Sequence, residues 1–211
     1  MVTYLCNRLV TNYNIMTKER NRELSEEKLI HAIGELIEEV GFEKLGINQV
    51  AKRAGFSKNL IYRYFGSLDG LIYAYMEKHD FWTNVTTMEP GLYNLKGYLK
   101  TFFRKQIIEY RGNTAFKRLL RWELSTDKDI LIEIRAQREK NGLRFTKIIS
   151  RFSKINQKEL QAISALMNAG ITYLAMFEEN CQMYNGIDIR NDKGWKQIAK
   201  GIDTLIDIMI K

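Results

Sequence analysis

Residues 47–66 read INQVAKRAGFSKNLIYRYFG, and this stretch restricts the fold more than any other part of the chain. Two runs of apolar residues at helical spacing, about 47–54 and about 57–65, are separated by little more than a glycine. Helices joined so tightly must cross steeply, which calls for a small side chain where they approach and a residue tolerant of positive φ where the chain turns. Ala51 and Gly55, four positions apart, meet those two needs. Val50, Phe56, Ile61 and Tyr64 then fall toward a shared core or its margin, Ser57 is placed to cap the second helix, and Gly66 stops it. The spacing predicts a helix-turn-helix.

Around it, helical periodicity continues. Ser25 opens a segment with Leu29, Ile33, Leu36, Ile37 and Val40 on one face, and Gly41 closes it. A fourth helix is expected from Ser67 to about Thr83, with a break at Pro90-Gly91. Further stripes cover residues 95–110, 116–124 and 130–152, then two long stretches, 157–181 and 192–210, separated by an irregular region at Asn185-Gly186. A single proline and 45% hydrophobic residues in a chain of 211 suit an all-α fold. No disulfide framework or zinc site is expected from Cys6 and Cys181, nor a metal site from His31 and His79, which have no ligand-spaced partner. No cofactor is expected. Continuous apolar runs of 18 or more are absent, and residues 1–15 lack the features of a signal peptide, so a soluble, cytoplasmic protein without a membrane partner is expected.

The net charge of +8 favours a polyanion partner, and its distribution sharpens the point. Between Lys44 and Leu68 there are five basic residues and no acid; residues 96–121 and 135–158 each hold eight basic and one acidic, leaving the remainder at −11. A basic block can equally be a solvated helix face. Nucleotide-binding, zinc-protease and serine-hydrolase motifs (GxGxxG, the P-loop, HExxH, GxSxG) do not occur.

Over roughly residues 23–83 the chain resembles the tetracycline-repressor (TetR) family of transcription regulators. The resemblance rests on Val40-Gly41-Phe42, on Val50-Ala51-Lys52-Arg53-Ala54-Gly55-Phe56-Ser57, on Leu60-Ile61-Tyr62-Arg63-Tyr64-Phe65, and on Ser67, Asp69 and Leu71. It implies a three-helix helix-turn-helix DNA-binding domain at residues 18–66, a larger helical ligand-binding and dimerisation domain at 67–211, and no enzymatic activity. Residues 1–17 read as a dispensable N-terminal extension, since Met16-Thr17-Lys18 looks like a natural start for the family.

The second helix of such a motif lies in the major groove with its N-terminal end toward the bases. That places Ser57, Lys58 and Asn59 there, Lys58 able to donate to guanine and Asn59 to pair with adenine. Tyr62 and Tyr64 match the family's backbone-contacting aromatics, Arg63 can take phosphate or guanine, and Asn48 is a second base-contact candidate. Gly46 stands where members usually carry Thr, and Leu68 where they carry Lys; Lys44, Lys52 or the arm residues Lys18, Arg20 and Arg22 are candidates to compensate for the lost phosphate contacts.

The expected function is repression of a pseudo-palindromic double-stranded DNA operator, relieved by a small-molecule effector. Small residues Ala162, Ala165, Ala169 and Gly170, with Ile198, Ile202, Leu205, Ile206 and Met209, suit a homodimer through the last two long helices. Phe103, Trp122 and Tyr173 lie on helices that bound the effector pocket in the resembling family. If the helix at 130–152 is continuous, Gln137 and Asn141 add a polar notch to its inner face; if Asn141-Gly142 breaks it, both amides face solvent. The basic blocks suggest an anionic or amphipathic ligand. Two other readings are open: an architectural DNA-binding dimer without effector, and a helical ligand carrier or enzyme acting on acidic substrates.

Overall fold

Helix α1 runs without interruption from Val2 to Val40 in the computed structural model, so the start expected at Ser25 is not a boundary. No proline or glycine occurs between residues 2 and 33 to stop the helix, and the Ser25 hydroxyl donates to the Asn21 carbonyl one turn back, at 2.8 Å, instead of capping. The structure describes residues 2–84 and 94–210, with side chains from residue 19 onward except at 83 and 84. The break expected at Pro90-Gly91 lies outside the described residues. The chain divides into two units, residues 1–75 and 76–211.

In the first unit, α2 (Ile47–Ala54) and α3 (Lys58–Phe65) follow α1. Gly55 takes φ 73° and ψ 27°, the left-handed conformation open to glycine, and the Phe56 N–H donates back to the Ala51 carbonyl at 2.9 Å. Val50 and Ile61 are wholly buried, as are Leu29, Ile33 and Ile37 of α1 and Leu71 of α4 (Leu68–His79). This core is entirely apolar. Gly34 leaves the space that the ring of Tyr75 fills: a Cβ there would stand 2.7 Å from the ring.

Helix α4 stops at His79, short of the expected 83, and a short α5 (Phe81–Asn84) follows. Asp80 makes the break. Its carboxylate accepts the Trp82 N–H at 2.8 Å, a local bond that competes with helical continuation.

The second unit adds α6 (Leu95–Gly112), α7 (Thr114–Glu123), α8 (Ile130–Phe152), α9 (Gln157–Phe177) and α10 (Asp192–Met209). Helix α6 packs on α7, α9 and α10, while α8 packs on α5 and α9. Asn94, Asn113, Asn156 and Asn191 open α6, α7, α9 and α10, each side chain accepting a backbone N–H three residues on. Aromatic rings fill the centre, with Phe102 and Phe145 stacked at 4.5 Å between centroids and Phe81 and Trp82 against Phe102.

The region around Asn185-Gly186, expected to be irregular, is a hairpin of β1 (Met183–Tyr184) and β2 (Ile187–Asp188). Asn185 at φ 50° and Gly186 at φ 79° give the tight turn whose twist matches paired strands. Helix α9 is long and apolar enough, by length and composition alone, to cross a membrane. Gln161, Ser164, Asn168 and Thr172 interrupt its apolar run without adding charge, so a count of consecutive apolar residues passes over it.

Candidate nucleic-acid interface and ligand cavity

Helix α3 buries Ile61 and turns Lys58, Asn59, Tyr62 and Arg63 to the surface. Asn48, at the start of α2, and Ser57 are also exposed. Ser57 sits at the capping position of α3 with extended backbone (φ −77°, ψ 149°), yet its hydroxyl makes no capping bond. The side chain is therefore free for an external partner, contrary to the capping role expected of it. Helix α2 begins at Gly46, whose N–H is taken by the Gln49 side chain at 3.2 Å; glycine has no side chain to return the bond. Tyr64 is half-buried, with Arg63 donating to its hydroxyl at 3.0 Å.

Not every cation of this acid-free stretch points outward. Arg53 donates to both oxygens of Glu39, at 2.8 and 2.7 Å, and reaches Glu35 at 3.4 Å. The hydrogen bond from Arg53 holds the Glu39 carboxyl below the usual carboxylate range. Arg53 thus belongs to the α1–α2 contact. Lys44, Lys52, Lys58 and Arg63 form no ion pair among the described residues. They carry the positive field of this surface.

In the second unit, a cavity of about 560 Å³ lies between α8 and α9. Trp82, Tyr110, Phe116 and Leu120 supply an apolar, aromatic floor, and Gln161, Ser164, Asn168 and Thr172 face it from α9 at helical spacing. Asn168 is fixed from behind: it accepts from the wholly buried Gln106 at 2.8 Å and donates to Ser164 at 3.1 Å. Burial pushes the Tyr110 hydroxyl up to about 12.

Arg138 on the cavity wall donates through Nε to Asp80 at 2.6 Å and through Nη1 to both oxygens of Glu123 at 2.9 and 2.8 Å. Burial works against its charge, but the two carboxylates outweigh that effect and hold the guanidinium above its ordinary pKa. Asn141 is buried and donates to the Trp82 carbonyl at 2.8 Å. Both backbone polar groups of Trp82 are therefore held, the N–H by Asp80 and the carbonyl by Asn141.

Helix α8 is continuous through Asn141-Gly142, and neither Gln137 nor Asn141 lines the cavity of about 560 Å³. Asn141 acts behind the wall, and half-buried Gln137 reaches it at only 3.5 Å. Among the other effector candidates, Phe103 lines a separate void of about 30 Å³, and Trp122 is buried away from the larger cavity. Tyr173 lies on the exposed side of α9, stacked on Phe177 at 5.1 Å. The residues that line the cavity, Trp82, Tyr110, Phe116, Arg138 and Asn168 among them, escaped the sequence reading; the spacing of Gln161, Ser164, Asn168 and Thr172 was the signal available.

The basic block at 96–121 is largely neutralised, whereas in that at 135–158 Arg138 is the one cation with an ion pair among the described residues. Lys100 pairs with Asp207, Arg104 with Asp203, Arg111 with Glu178 and Asp192, Lys117 with Glu178 and Glu179, and Arg121 with Glu179. The acids missing from the 96–121 block arrive through folding, and on the cavity wall Arg138 is paired while Arg135 has no ion pair among the described residues.

A helix-turn-helix that exposes Lys58, Asn59, Tyr62 and Arg63, with no acid in its own segment, defines a DNA-binding protein. Residues 29–75 match the family model described as bacterial regulatory proteins, tetR family. Over 90% of its length the chain has the fold of HlyIIR mutant proteins. One, with a segment replaced by a GSSGSSG linker, is 16% identical with TM-score 0.53, covering 90% of this chain and 96% of that one. Another, with a linker containing two thrombin sites, is 15% identical with TM-score 0.54, covering 90% and 98%. No curated protein matches. Residues 29–75 thus form a DNA-binding domain of the tetR type, and the chain is a DNA-binding transcriptional regulator.

Proposed function

We propose that this regulator is a cytoplasmic repressor that binds a pseudo-palindromic operator as a homodimer and is released when a small molecule occupies the cavity between α8 and α9. Ser57, Lys58 and Asn59 read bases, with Asn48 beside them, while Tyr62, Arg63 and Tyr64 engage the backbone. The cavity is the observation that carries the effector part: its volume of about 560 Å³ suits a small ligand, and an aromatic floor facing a row of neutral polar groups suits an amphipathic one. Ion pairing in the 96–121 block and at Arg138 weakens the argument for a strongly anionic ligand. Support for the dimer comes from α9 and α10, which leave Leu166, Leu205 and Ile208 exposed at 75%, 49% and 68% beside the small residues Ala162, Ala169 and Gly170.

Footprinting upstream of the protein's own gene, with and without candidate amphipathic ligands, tests the reading. A symmetric footprint that a ligand abolishes is expected, accompanied by a change in tryptophan fluorescence from Trp82. Asn168→Leu should weaken that ligand at least tenfold while leaving the footprint intact. Binding that is equal on all sequences and indifferent to ligand would replace this reading with an architectural DNA-binding dimer.

A further inference from the structure

Two positions where phosphate contacts are expected are empty of suitable side chains: Gly46 has no hydroxyl and Leu68 no charge. Arg53 is held by Glu35 and Glu39 and offers no replacement. A different cation stands beside the recognition helix. Because α1 is helical well before Ser25, Arg22 is carried on a rigid turn and not on a loose arm. Its guanidinium carbon lies 5.2 Å from the centre of the Tyr64 ring, and that of Arg63 lies 4.9 Å from the same centre.

We propose that Arg22 is a phosphate-binding residue of the DNA interface, held beside Arg63 by the ring of Tyr64. The two guanidinium groups cannot be farther apart than the sum of their distances to the ring. Like charges so placed repel, and the free protein offsets the repulsion through the electron-rich face of the ring and through Glu26, which accepts from Arg22 Nε at 2.6 Å. That bond uses one donor. Both terminal nitrogens of Arg22 make no hydrogen bond among the described residues, and the side chain remains 59% exposed. An arriving phosphate would meet donors from α1 and α3 already oriented, in the bidentate geometry that guanidinium offers and lysine does not. Glu26 orients Arg22 without covering it. Tyr64 joins the two cations, which gives this ring a role beyond its own hydroxyl.

The proposal rests on DNA binding through α3, and the test separates the two. The full-length protein is titrated with a random-sequence duplex at several salt concentrations, and the slope of log affinity against log salt is read for each variant. Each phosphate contact contributes about 0.9 to that slope for duplex DNA. Arg22→Ala should lower it by about that amount, and Arg22→Lys should keep the slope while weakening binding severalfold. Arg53→Ala, which removes an equal charge already paired inside the unit, should leave the slope unchanged. In a Tyr64→Leu background, with folding checked by circular dichroism, Arg22→Ala should have much less effect. A wild-type slope for Arg22→Ala, or equal losses for Arg22→Ala and Arg53→Ala, overturns the assignment while leaving DNA binding intact. A wild-type protein with no salt-dependent binding overturns both.

Discussion

The two units treat positive charge and helix ends in opposite ways. In the first, Lys44, Lys52, Lys58 and Arg63 have no ion-pair partner among the described residues, the core is apolar, and neither α2 nor α3 has a side-chain cap. In the second, at least five of the eight cations at 96–121 are paired, Arg138 is held between two carboxylates, and four helices begin on a capping asparagine. A surface awaiting an external polyanion keeps its donors uncommitted. A wall around a partly enclosed cavity satisfies its polar groups internally, because an unpaired charge or amide there is costly.

That contrast can be broken most forcefully at Arg138. Arg138→Ala leaves Asp80 and Glu123 buried without their cation and should destabilise the second unit by about 3–5 kcal/mol, measured by denaturant unfolding. A loss below ~1 kcal/mol would mean that the pairs are dispensable. On the exposed side, Asn59→Ala should cost about 1–3 kcal/mol on the preferred operator, much less on random DNA, and leave thermal stability unchanged. Equal losses on both DNAs would remove Asn59 from the base-reading set. The helix ends give the smallest effect: Asn156→Ala should lower stability by about 1 kcal/mol, whereas Ser57→Ala should shift it by less than ~0.5 kcal/mol. A comparable loss for Ser57→Ala would show that its hydroxyl caps α3 in solution.

Local constraints were the legible ones. Ala51 and Gly55 announce the turn because only their small size and backbone freedom fit it, and α2 and α8 have the extents that periodicity predicts. The start of α1 was misread because a serine that can cap can also bond back within a helix. Asn185-Gly186 carried a hairpin signal, but flanking strands of two residues are too short to show alternation. The cavity was the hardest to see. Gln137 and Asn141 were placed correctly on the inward side of α8, yet whether an inward amide faces a ligand or a backbone carbonyl depends on α5, which the local spacing of α8 does not encode. Charge counting failed for the 96–121 block for a related reason. Asp203 and Asp207 lie about a hundred positions from the cations they meet.

The hairpin turn has a chemical consequence as well as a geometric one. The sequence contains Asn-Gly twice, at 141–142 and 185–186, and this dipeptide ages by attack of the glycine nitrogen on the asparagine side chain, forming a succinimide. Within α8 the nitrogen is held in the helical ladder and the Asn141 amide is tied to Trp82, so the ring cannot close readily. Asn185 and Gly186 are exposed at the tip of a two-residue turn, outside any helix. Stored protein will therefore accumulate isoaspartate at Asn185 first, giving α9 and α10 a connector whose age can be read by mass.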